Sequence, residues 1–196
     1  MKKPGRPLEY DLEEVLEIAM HLFWRNGYEA TTLQDLLNAT NLTKSSFYYA
    51  FGNKYQLFEQ CLVRYRERQV AQMQLELRQA ATGRVFVENF LRQLVDATHA
   101  SERQQGCFVM NMATEFAGRN PVGSGAVANA SIPLTKVFQS AIERGQAEGV
   151  IPEQKNSEAL AYFLFNCITG LRAMIKAKVD PVKINAIIAI TLTSFE

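Results

Sequence analysis

Residues 42–51 read LTKSSFYYAF and combine a lysine, two serines and two tyrosines with apolar residues. Ammonium and hydroxyl groups can bind phosphate oxygens and the acceptors on base edges, and a phenol ring adds apolar area against a sugar or a thymine methyl. Leu42, Phe47 and Phe51 are spaced to pack inward instead. The stretch therefore predicts a short helix with one face for a core and one for a nucleic acid, although a solvated polar face with two surface tyrosines is the alternative.

The outward side chains divide into three chemical types. Lys44 can reach guanine acceptors or a phosphate, and the short Ser45 and Ser46 can approach the floor of a groove. Tyr48 and Tyr49 can donate their hydroxyls to phosphate. A helix-turn-helix places the N-terminal residues of its second helix at base edges in the major groove, so these positions are the candidate contacts.

The elements before this stretch are predicted from apolar spacing and capping residues. Apolar residues recur at three- and four-residue steps from about 11 to 25, which indicates a first helix that ends at Asn26-Gly27. Thr32 is placed to cap a short second helix, with Asp35 three positions on as an approximate capping box.

A tight turn then leads into the third helix. Asn41 tolerates positive φ, and Thr43 is placed to cap a helix at about 44–51. Helix, short turn and helix is the spacing of a helix-turn-helix. Thr32 and Lys54, at the starts of the flanking helices, add a helix end and a positive charge for phosphate.

The chain begins with a basic arm, KKPGRP at residues 2–7. Two prolines favour an extended backbone, and Arg6 can lie in a narrow minor groove. A disordered basic tail in the free protein is the alternative, and the two are compatible if the arm orders on DNA.

The remaining sequence is also helical, with no strand-like alternation of useful length. A long helix should start at Asn53 and end near Gly83. Further helices are expected near 84–100, 107–117, 126–148, 156–178 and 181–194, with Gly118–Gly125 as a loop. We therefore predict an all-α chain of about nine helices, with a DNA-binding domain at residues 1–55 and a larger helical domain for effector binding and dimerisation at 56–196.

Composition excludes several other classes of protein. The 196 residues are 47% hydrophobic and 21% charged, which is an ordinary globular balance. We find no apolar run of the length of a membrane span and no signal peptide, so we expect a cytoplasmic protein without membrane contact. The three cysteines are odd in number and far apart, so neither disulfides nor a metal site is indicated, and no cofactor is expected. No catalytic constellation stands at diagnostic spacing, so we do not expect an enzyme.

The segment GYEATTLQDLLNATNLTKSSFYYAFGNKYQLFE, residues 27–59, resembles the DNA-binding domain of the tetracycline-repressor (TetR/AcrR) family of bacterial regulators. The resemblance implies DNA contacts by Thr32, Lys44, Tyr48, Tyr49 and Lys54. Two departures from the family pattern are Asn41, where glycine is common, and Tyr49-Ala50, where histidine is frequent. It further implies an all-helical homodimer that binds a palindromic operator on double-stranded DNA and releases it when a small inducer binds the C-terminal domain.

The C-terminal two-thirds supplies the candidate ligand pocket. Pockets in helical bundles are built from large apolar side chains and a few polar groups, although such stripes are more often plain core. His99 and Glu115 are further polar candidates. The pattern favours an apolar or aromatic effector of modest size. The predicted lining residues are Tyr65, Phe86, Phe90, Phe108, Asn111, Met112, Phe116, Phe138, Phe163 and Asn166.

Two further expectations concern the same region. Cys107 opens a helix, where the helix dipole favours a thiolate if the thiol is accessible, so a redox or electrophile sensor is an alternative to burial as a small apolar residue. The last two helices are apolar most of the way round, and such helices need a partner beyond their own monomer. We therefore expect them to form the dimer interface.

A rival function remains open at this point. The first possibility is a regulator controlled by a small-molecule effector. The second is a DNA-binding protein, regulatory or architectural, that has no small-molecule effector. A fully packed C-terminal core would favour the second.

Overall fold

The computed structural model describes residues 10–96 and 106–196, and within these two ranges the chain forms nine α-helices and no strand. The predicted all-α fold is confirmed. The helices are α1 (Leu12–Asn26), α2 (Leu33–Thr40), α3 (Lys44–Phe51), α4 (Lys54–Gln79), α5 (Gly83–Asp96), α6 (Phe108–Phe116), α7 (Pro121–Ala147), α8 (Ser157–Lys176) and α9 (Pro181–Thr193).

The chain divides into two compact units, Met1–Arg64 and Tyr65–Glu196, and the division falls within α4. It lies further along this helix than the boundary near residue 55 that the sequence indicated. The reason is that the first turns of α4 pack on α1. The Phe58 ring meets Phe23 edge-on at 5.6 Å between centroids, and the Cys61 thiol donates to the Leu16 carbonyl at 3.6 Å.

The N-terminal unit is built around aromatic and aliphatic side chains from all its helices. The loop between α1 and α2 is fixed by Thr31, which is buried and donates its hydroxyl to the Gly27 carbonyl at 2.6 Å. This loop brings α2 back onto α1. The core residues include Val15, Ala19, Met20, Phe23, Leu36, Phe47, Phe51, Leu57 and Phe58.

The C-terminal unit has α7 at its centre. Helices α5, α6 and α8 pack against α7, and α9 packs against α5 and α8. The start of α5 is fastened to the end of α7, because the Gly83 N–H donates to the Glu148 carboxylate at 2.8 Å. The same contact is the main cause that lowers the pKa of Glu148.

The start of α7 differs from the prediction. The helix begins at Pro121 rather than near residue 126, so the expected loop Gly118–Gly125 is shorter than predicted. Asn120 caps this helix by accepting from the Gly123 N–H at 2.9 Å. An added Cβ at Gly123 would lie 2.8 Å from the Phe116 ring, so this glycine permits close helix packing rather than a loop.

Among the described residues, α8 is long and apolar enough to cross a membrane by length and composition. The expectation that no segment reaches this length and character was therefore wrong. Core helices of soluble proteins pass the same test. Helix α8 packs against α7 and buries one stripe, formed by Ala161, Leu164, Ile168 and Leu171.

Candidate nucleic-acid interface

Two local devices fix the start of α3. Asn41 takes a left-handed conformation, with φ 55° and ψ 28°, and this residue ends α2. Thr43 caps α3 by accepting from the Ser46 N–H at 3.1 Å, and the hydroxyls of Thr43 and Ser46 lie 2.8 Å apart. The turn and the cap were both visible in the sequence, because each uses residues a few positions apart.

Helix α3 has one buried and one exposed side. Phe47 and Phe51 are buried, with ring centroids 5.7 Å apart, so they anchor the helix on the core of the N-terminal unit. The opposite side forms what we call the α3 polar face, which consists of Lys44, Ser45, Tyr48 and Tyr49. Lys44 and Tyr48 are four positions apart, as are Ser45 and Tyr49, and Ser45 and Tyr48 are three apart, so these residues share one side of a helix. Ser46 is half-buried beside its Thr43 partner.

The two tyrosines of this face are held differently. Tyr48 is 46% exposed, and its ring packs edge-on against Phe47 at 5.7 Å between centroids. Tyr49 is 83% exposed. Helix α3 contains no acidic residue, so nothing on the helix itself opposes an approaching phosphate.

Thr32 lies at the N-terminus of α2 in a complete capping box. Its hydroxyl accepts from the Asp35 N–H at 3.1 Å, and its own N–H donates to the Asp35 carboxylate at 2.9 Å. The hydroxyl also donates to this carboxylate at 2.7 Å. These hydrogen bonds from the Thr32 side chain and backbone lower the pKa of Asp35. The exposed Thr32 therefore fixes the helix end that could meet a phosphate.

Lys54, at the start of α4, is engaged within the N-terminal unit. Its ammonium donates to the carbonyls of Tyr28 and Thr31, both at 2.9 Å, and lies 4.2 Å from the centroid of the Tyr28 ring. It therefore fastens α4 to the α1–α2 loop. Arg6, the predicted minor-groove contact, lies outside the described residues.

Most of the predicted pocket residues lie inside the C-terminal unit. Tyr65, Phe86, Phe108, Met112, Phe116 and Phe138 are buried, and Phe90 and Asn111 are half-buried. The rings form two groups. Phe86, Phe90 and Phe138 join α5 to α7, with 5.1 Å between the centroids of Phe90 and Phe138, and Tyr65 meets Phe108 at 5.6 Å.

The structure does not bring two predicted pocket residues into these groups. Phe163 and Asn166 are exposed on α8. Both belong to a helix that is apolar on more than one side, so spacing alone did not show which side is buried. Of the further polar candidates, Glu115 is half-buried on α6, and His99 lies outside the described residues.

A groove of about 360 Å³ lies between α4 and α7, and none of its lining residues is among the predicted pocket residues. Its apolar lining includes Val70, Leu77, Pro133 and Val137, and it also has basic and polar side chains, which are Arg78, Lys136, Gln74 and Ser140.

The sequence did not indicate the role of Arg172. This residue of α8 interacts with the Tyr65 hydroxyl and the Cys107 thiol, and Tyr65 itself donates to the Cys107 sulfur at 3.7 Å. The one available signal was a single arginine within the apolar stretch at residues 160–175, and its partners are too distant in sequence to be inferred from spacing.

Comparison with known proteins assigns the chain to a family. The sequence model described as bacterial regulatory proteins of the tetR family matches residues 15–61, and that of a tetracyclin repressor-like C-terminal domain matches residues 84–190. The chain belongs to the TetR family. It is a DNA-binding transcriptional regulator with an N-terminal helix-turn-helix domain and a larger C-terminal helical domain. The expectation that it is not an enzyme is thereby confirmed.

Two TetR-family relatives match along most of the chain. The HTH-type transcriptional repressor ComR of Escherichia coli (strain K12) is 30% identical over 168 residues, which are 85% of this chain and 80% of ComR. The HTH-type transcriptional regulator YezE of Bacillus subtilis (strain 168) is 28% identical over 177 residues, which are 90% of this chain and 91% of YezE.

Solved structures similar to this chain include complexes with DNA. One of them is a cysteine mutant of the TetR family transcriptional regulator CifR, complexed with 26-bp double-strand operator DNA. The TM-score is 0.85 at 27% identity, and the match covers 97% of this chain and 100% of the CifR chain.

Proposed function

We propose that this TetR-family regulator is a cytoplasmic repressor that binds a palindromic operator as a homodimer and releases it when a small, largely apolar molecule binds within residues 65–196. The observation that carries the DNA-binding part is the α3 polar face. It holds a lysine, a serine and two tyrosines on the exposed side of a helix anchored by Phe47 and Phe51.

Each side chain of the interface has a role in this proposal. Lys44 and Ser45 lie at the N-terminal end of α3, which enters the major groove first in a helix-turn-helix. The hydroxyls of Tyr48 and Tyr49 donate hydrogen bonds to backbone phosphates, and these contacts set the register of the protein on the duplex. Thr32 presents the N-terminus of α2 to a phosphate.

The remaining predicted contacts act around this face. The hydroxyls of Thr43 and Ser46 contact each other and fix the first turn of α3. Their main role in the proposal is therefore to position this helix, and reading bases is secondary. Lys54 adds positive charge near the α2 end while it holds the α1–α2 loop. Arg6 reaches the minor groove from the N-terminal arm.

Dimerisation is supported by exposed apolar side chains on the last two helices. Tyr162 and Phe163 on α8 are 52% and 41% exposed, and Val182 and Ile190 on α9 are 72% and 69% exposed. Large apolar surfaces of this kind are typical of contact sites. A twofold pairing through α8 and α9 would cover them and would present two copies of α3 to two half-sites.

The effector part of the proposal is supported by the aromatic groups of the C-terminal unit. Half-buried Phe90 borders the buried rings of Phe86 and Phe138, so a small apolar molecule that enters here would contact α5 and α7. Such a ligand weakens DNA binding only if it prefers the DNA-free conformation. A typical coupling of about 1–3 kcal/mol corresponds to roughly 5–150-fold in operator affinity. Helix α4 connects the two units as one continuous helix, so a tilt of α4 is the proposed route.

DNA binding is tested by selecting duplexes from a random library with the full chain. The selected sites should be palindromic, and a Lys44→Ala, Tyr48→Ala, Tyr49→Ala variant should lose them while its thermal unfolding midpoint stays unchanged, because all three side chains are exposed. A scrambled duplex is the control. Selection by a folded triple variant of the same sites at the same affinity would refute the assignment.

The effector is tested by screening small apolar and aromatic molecules for thermal stabilisation and then titrating the operator with and without each stabilising molecule. Lower operator affinity supports the proposal. A saturating molecule that stabilises the protein but leaves operator affinity unchanged contradicts it and favours a regulator without an effector. Met112→Trp places a larger side chain at a buried position and should mimic or block the ligand. Leu75→Trp, at an exposed site on α4, is the control.

A further inference from the structure

The groove between α4 and α7 is formed by one stripe of side chains from each helix. The α4 side chains stand at positions 70, 74, 77 and 78, and the α7 side chains at 133, 136, 137 and 140. Steps of three and four residues put each set on one side of its helix. The volume of about 360 Å³ is of the size that small-molecule sites have. We call it the α4–α7 groove, and its lining residues are Val70, Gln74, Leu77, Arg78, Pro133, Lys136, Val137 and Ser140.

The apolar part of the α4–α7 groove comes from both helices. Val137 of α7 is buried, and Val70, Leu77 and Pro133 are half-buried. These four side chains present branched or cyclic hydrocarbon to the groove. An aliphatic chain that lies against them would lose apolar area to water, which is favourable.

Four polar side chains border this apolar surface. Arg78, Lys136, Gln74 and Ser140 are exposed. Within the part of the chain that the structure describes, no side-chain hydrogen bond or ion pair engages any of them. Two of the four are cations, so the groove offers positive charge and further hydrogen-bond donors that the protein itself does not use.

Arg144 of α7 provides an internal contrast. Its guanidinium donates to the Leu77 carbonyl at 2.6 Å and to the Glu148 carboxylate at 2.7 Å. It therefore fastens the end of α4 to α7 and fixes the width of the groove at Leu77. Arg144 is committed to the fold, whereas the charge of Arg78 is available to a ligand.

Negative charge is scarce along the two stripes. Among the described lining residues there is no carboxylate. Glu76 is the one acidic residue within 70–78 and 133–140, and its carboxylate accepts from the Gln72 amide at 2.7 Å. A molecule with one anionic head and an apolar body complements both parts of the groove. An uncharged apolar molecule would leave the cations unpaired, and a polyanion would leave the apolar surface uncovered.

We propose that the α4–α7 groove binds small amphipathic carboxylates. The aliphatic part lies on Val70, Leu77 and Val137, and the carboxylate meets Arg78 and Lys136. A guanidinium matches the two oxygens of a carboxylate, which favours this anion at Arg78. The groove shares no lining residue with the aromatic groups of the C-terminal unit, so this is a second ligand site with a second ligand class.

The regulatory consequence of this site rests on the proposed function. A ligand in the groove touches α4 and α7 together, and α4 is one continuous helix from Lys54 to Gln79. If the ligand prefers the arrangement of these two helices in the DNA-free protein, it lowers operator affinity.

The test is calorimetric titration of the full chain with octanoate, and with octanol and octylamine as its uncharged and cationic counterparts. Octanoate should bind roughly three- to tenfold more tightly than octanol, because two partly exposed ion pairs favour the anion. Combining Arg78→Met with Lys136→Met should abolish this preference. Arg119→Met combined with Lys183→Met removes the same charge from exposed positions outside the groove and should retain it.

Two further variants keep the test independent of lost stability. Arg78→Glu combined with Lys136→Glu should make octylamine the preferred ligand. Ser140→Trp should fill the groove and prevent octanoate binding, whereas Gly125→Trp, at an exposed site elsewhere on α7, should not. All these positions except Gly125 carry exposed side chains, and thermal unfolding checks that each variant is folded. Octanoate that binds wild type no more tightly than octanol, or a preference that the folded double methionine variant retains, would overturn the proposal.

Operator binding separates this inference from the proposed function. Octanoate should weaken operator binding by wild type and not by Ser140→Trp. If the ligand-free protein binds no duplex at all, the proposed function fails, while the calorimetric preference for octanoate still decides the groove. If operator binding is intact and octanoate does not bind, the groove proposal alone fails.

Discussion

The exposed residues of α3 differ in how firmly the structure holds them. The Tyr48 ring packs edge-on against the buried Phe47 ring, so its hydroxyl has a fixed position relative to the core. Tyr49 and Lys44 are exposed on the same helix. A fixed phenol suits a phosphate contact that sets register, whereas an exposed lysine at the helix start can adapt to a base edge or a phosphate.

The role of Lys44 can be resolved by measuring operator affinity at several salt concentrations. If Lys44 reads a base, Lys44→Ala should cost roughly 1–3 kcal/mol on the selected operator and relax specificity at one position. If it meets only phosphate, the loss should be equal on all duplexes and the salt dependence shallower. Affinity and salt dependence identical to wild type would remove Lys44 from the interface.

Lys54 has a structural role in the N-terminal unit and a proposed role on DNA, and stability measurements can separate the two. Lys54→Met removes the donor to the Tyr28 and Thr31 carbonyls, and unsatisfied carbonyls of this kind should cost roughly 1–3 kcal/mol of unfolding free energy. Urea unfolding measures the loss. Lys44→Met is the matched control, since Lys44 is exposed and should leave stability unchanged. An equal effect of the two substitutions would mean that the Lys54 contacts contribute nothing and that its role lies on DNA.

At the scale of the helices, the sequence predicted those helix bounds that are set by residues close together in the chain. The bounds of α3 were predicted as 44–51, because Thr43 and Asn41 act within a few residues of each other. The start of α7 was predicted too late. A glycine is needed at position 123 because the Phe116 ring packs against it, and no local sequence pattern shows this contact.

The candidate pocket shows the same limit. Apolar spacing correctly marked Phe108 and Phe138 as buried, but it also selected Phe163, which is exposed. On α8, which carries apolar residues on several sides, periodicity does not identify the face that packs. Arg172 was missed because its partners, Tyr65 and Cys107, come from other parts of the chain.

The crossing of α5 and α7 depends on the absence of a side chain at Gly83. An added Cβ there would lie 2.0 Å from the Ala141 carbonyl oxygen and 2.6 Å from the Gly145 nitrogen, and both are backbone atoms that cannot rotate away. Gly83→Ala should therefore push the helices apart and lower the unfolding free energy by about 1–3 kcal/mol.

The control for this prediction is Gly125→Ala on α7. Gly125 is exposed within the helix, and an added Cβ there meets nothing within 4 Å. Alanine is favoured over glycine inside a helix, so this variant should gain about 0.5–1 kcal/mol. Urea unfolding of both variants measures the contrast. A Gly83→Ala variant as stable as Gly125→Ala would show that the crossing is not tightly packed.

At the scale of the whole molecule, the apolar side chains of α8 and α9 face two ways. One stripe of α8 is buried in the C-terminal unit, while Phe163 and Tyr162 are exposed beside it. On α9, Ile184 and Ile188 are buried, while Ile190 is 69% exposed. A single chain leaves this second apolar side in water. Covering it with another surface is favourable, because burial removes apolar area from water.

A second copy of the chain is the proposed cover, and substitutions at exposed positions test it without disturbing the monomer. Phe163→Glu combined with Ile190→Glu should convert the dimer to a folded monomer, because two charges would be buried at the interface. Leu75→Glu, at a comparably exposed site on α4, is the matched control and should stay dimeric. Light scattering at micromolar concentration measures the assembly.

Gly170 on α8 gives an independent version of the same test. An added Cβ at Gly170 meets nothing within 4 Å in the single chain, as at Gly125. Gly170→Trp should therefore leave the fold intact yet prevent close packing of a partner helix, whereas Gly125→Trp should leave assembly unchanged. Under the proposed function two copies of α3 read a palindromic operator, so the monomeric variants should lose cooperative binding to the full site and keep only weak binding to each half. Monomers that bind the full operator as tightly as wild type would show that pairing through α8 and α9 does not place the two recognition helices.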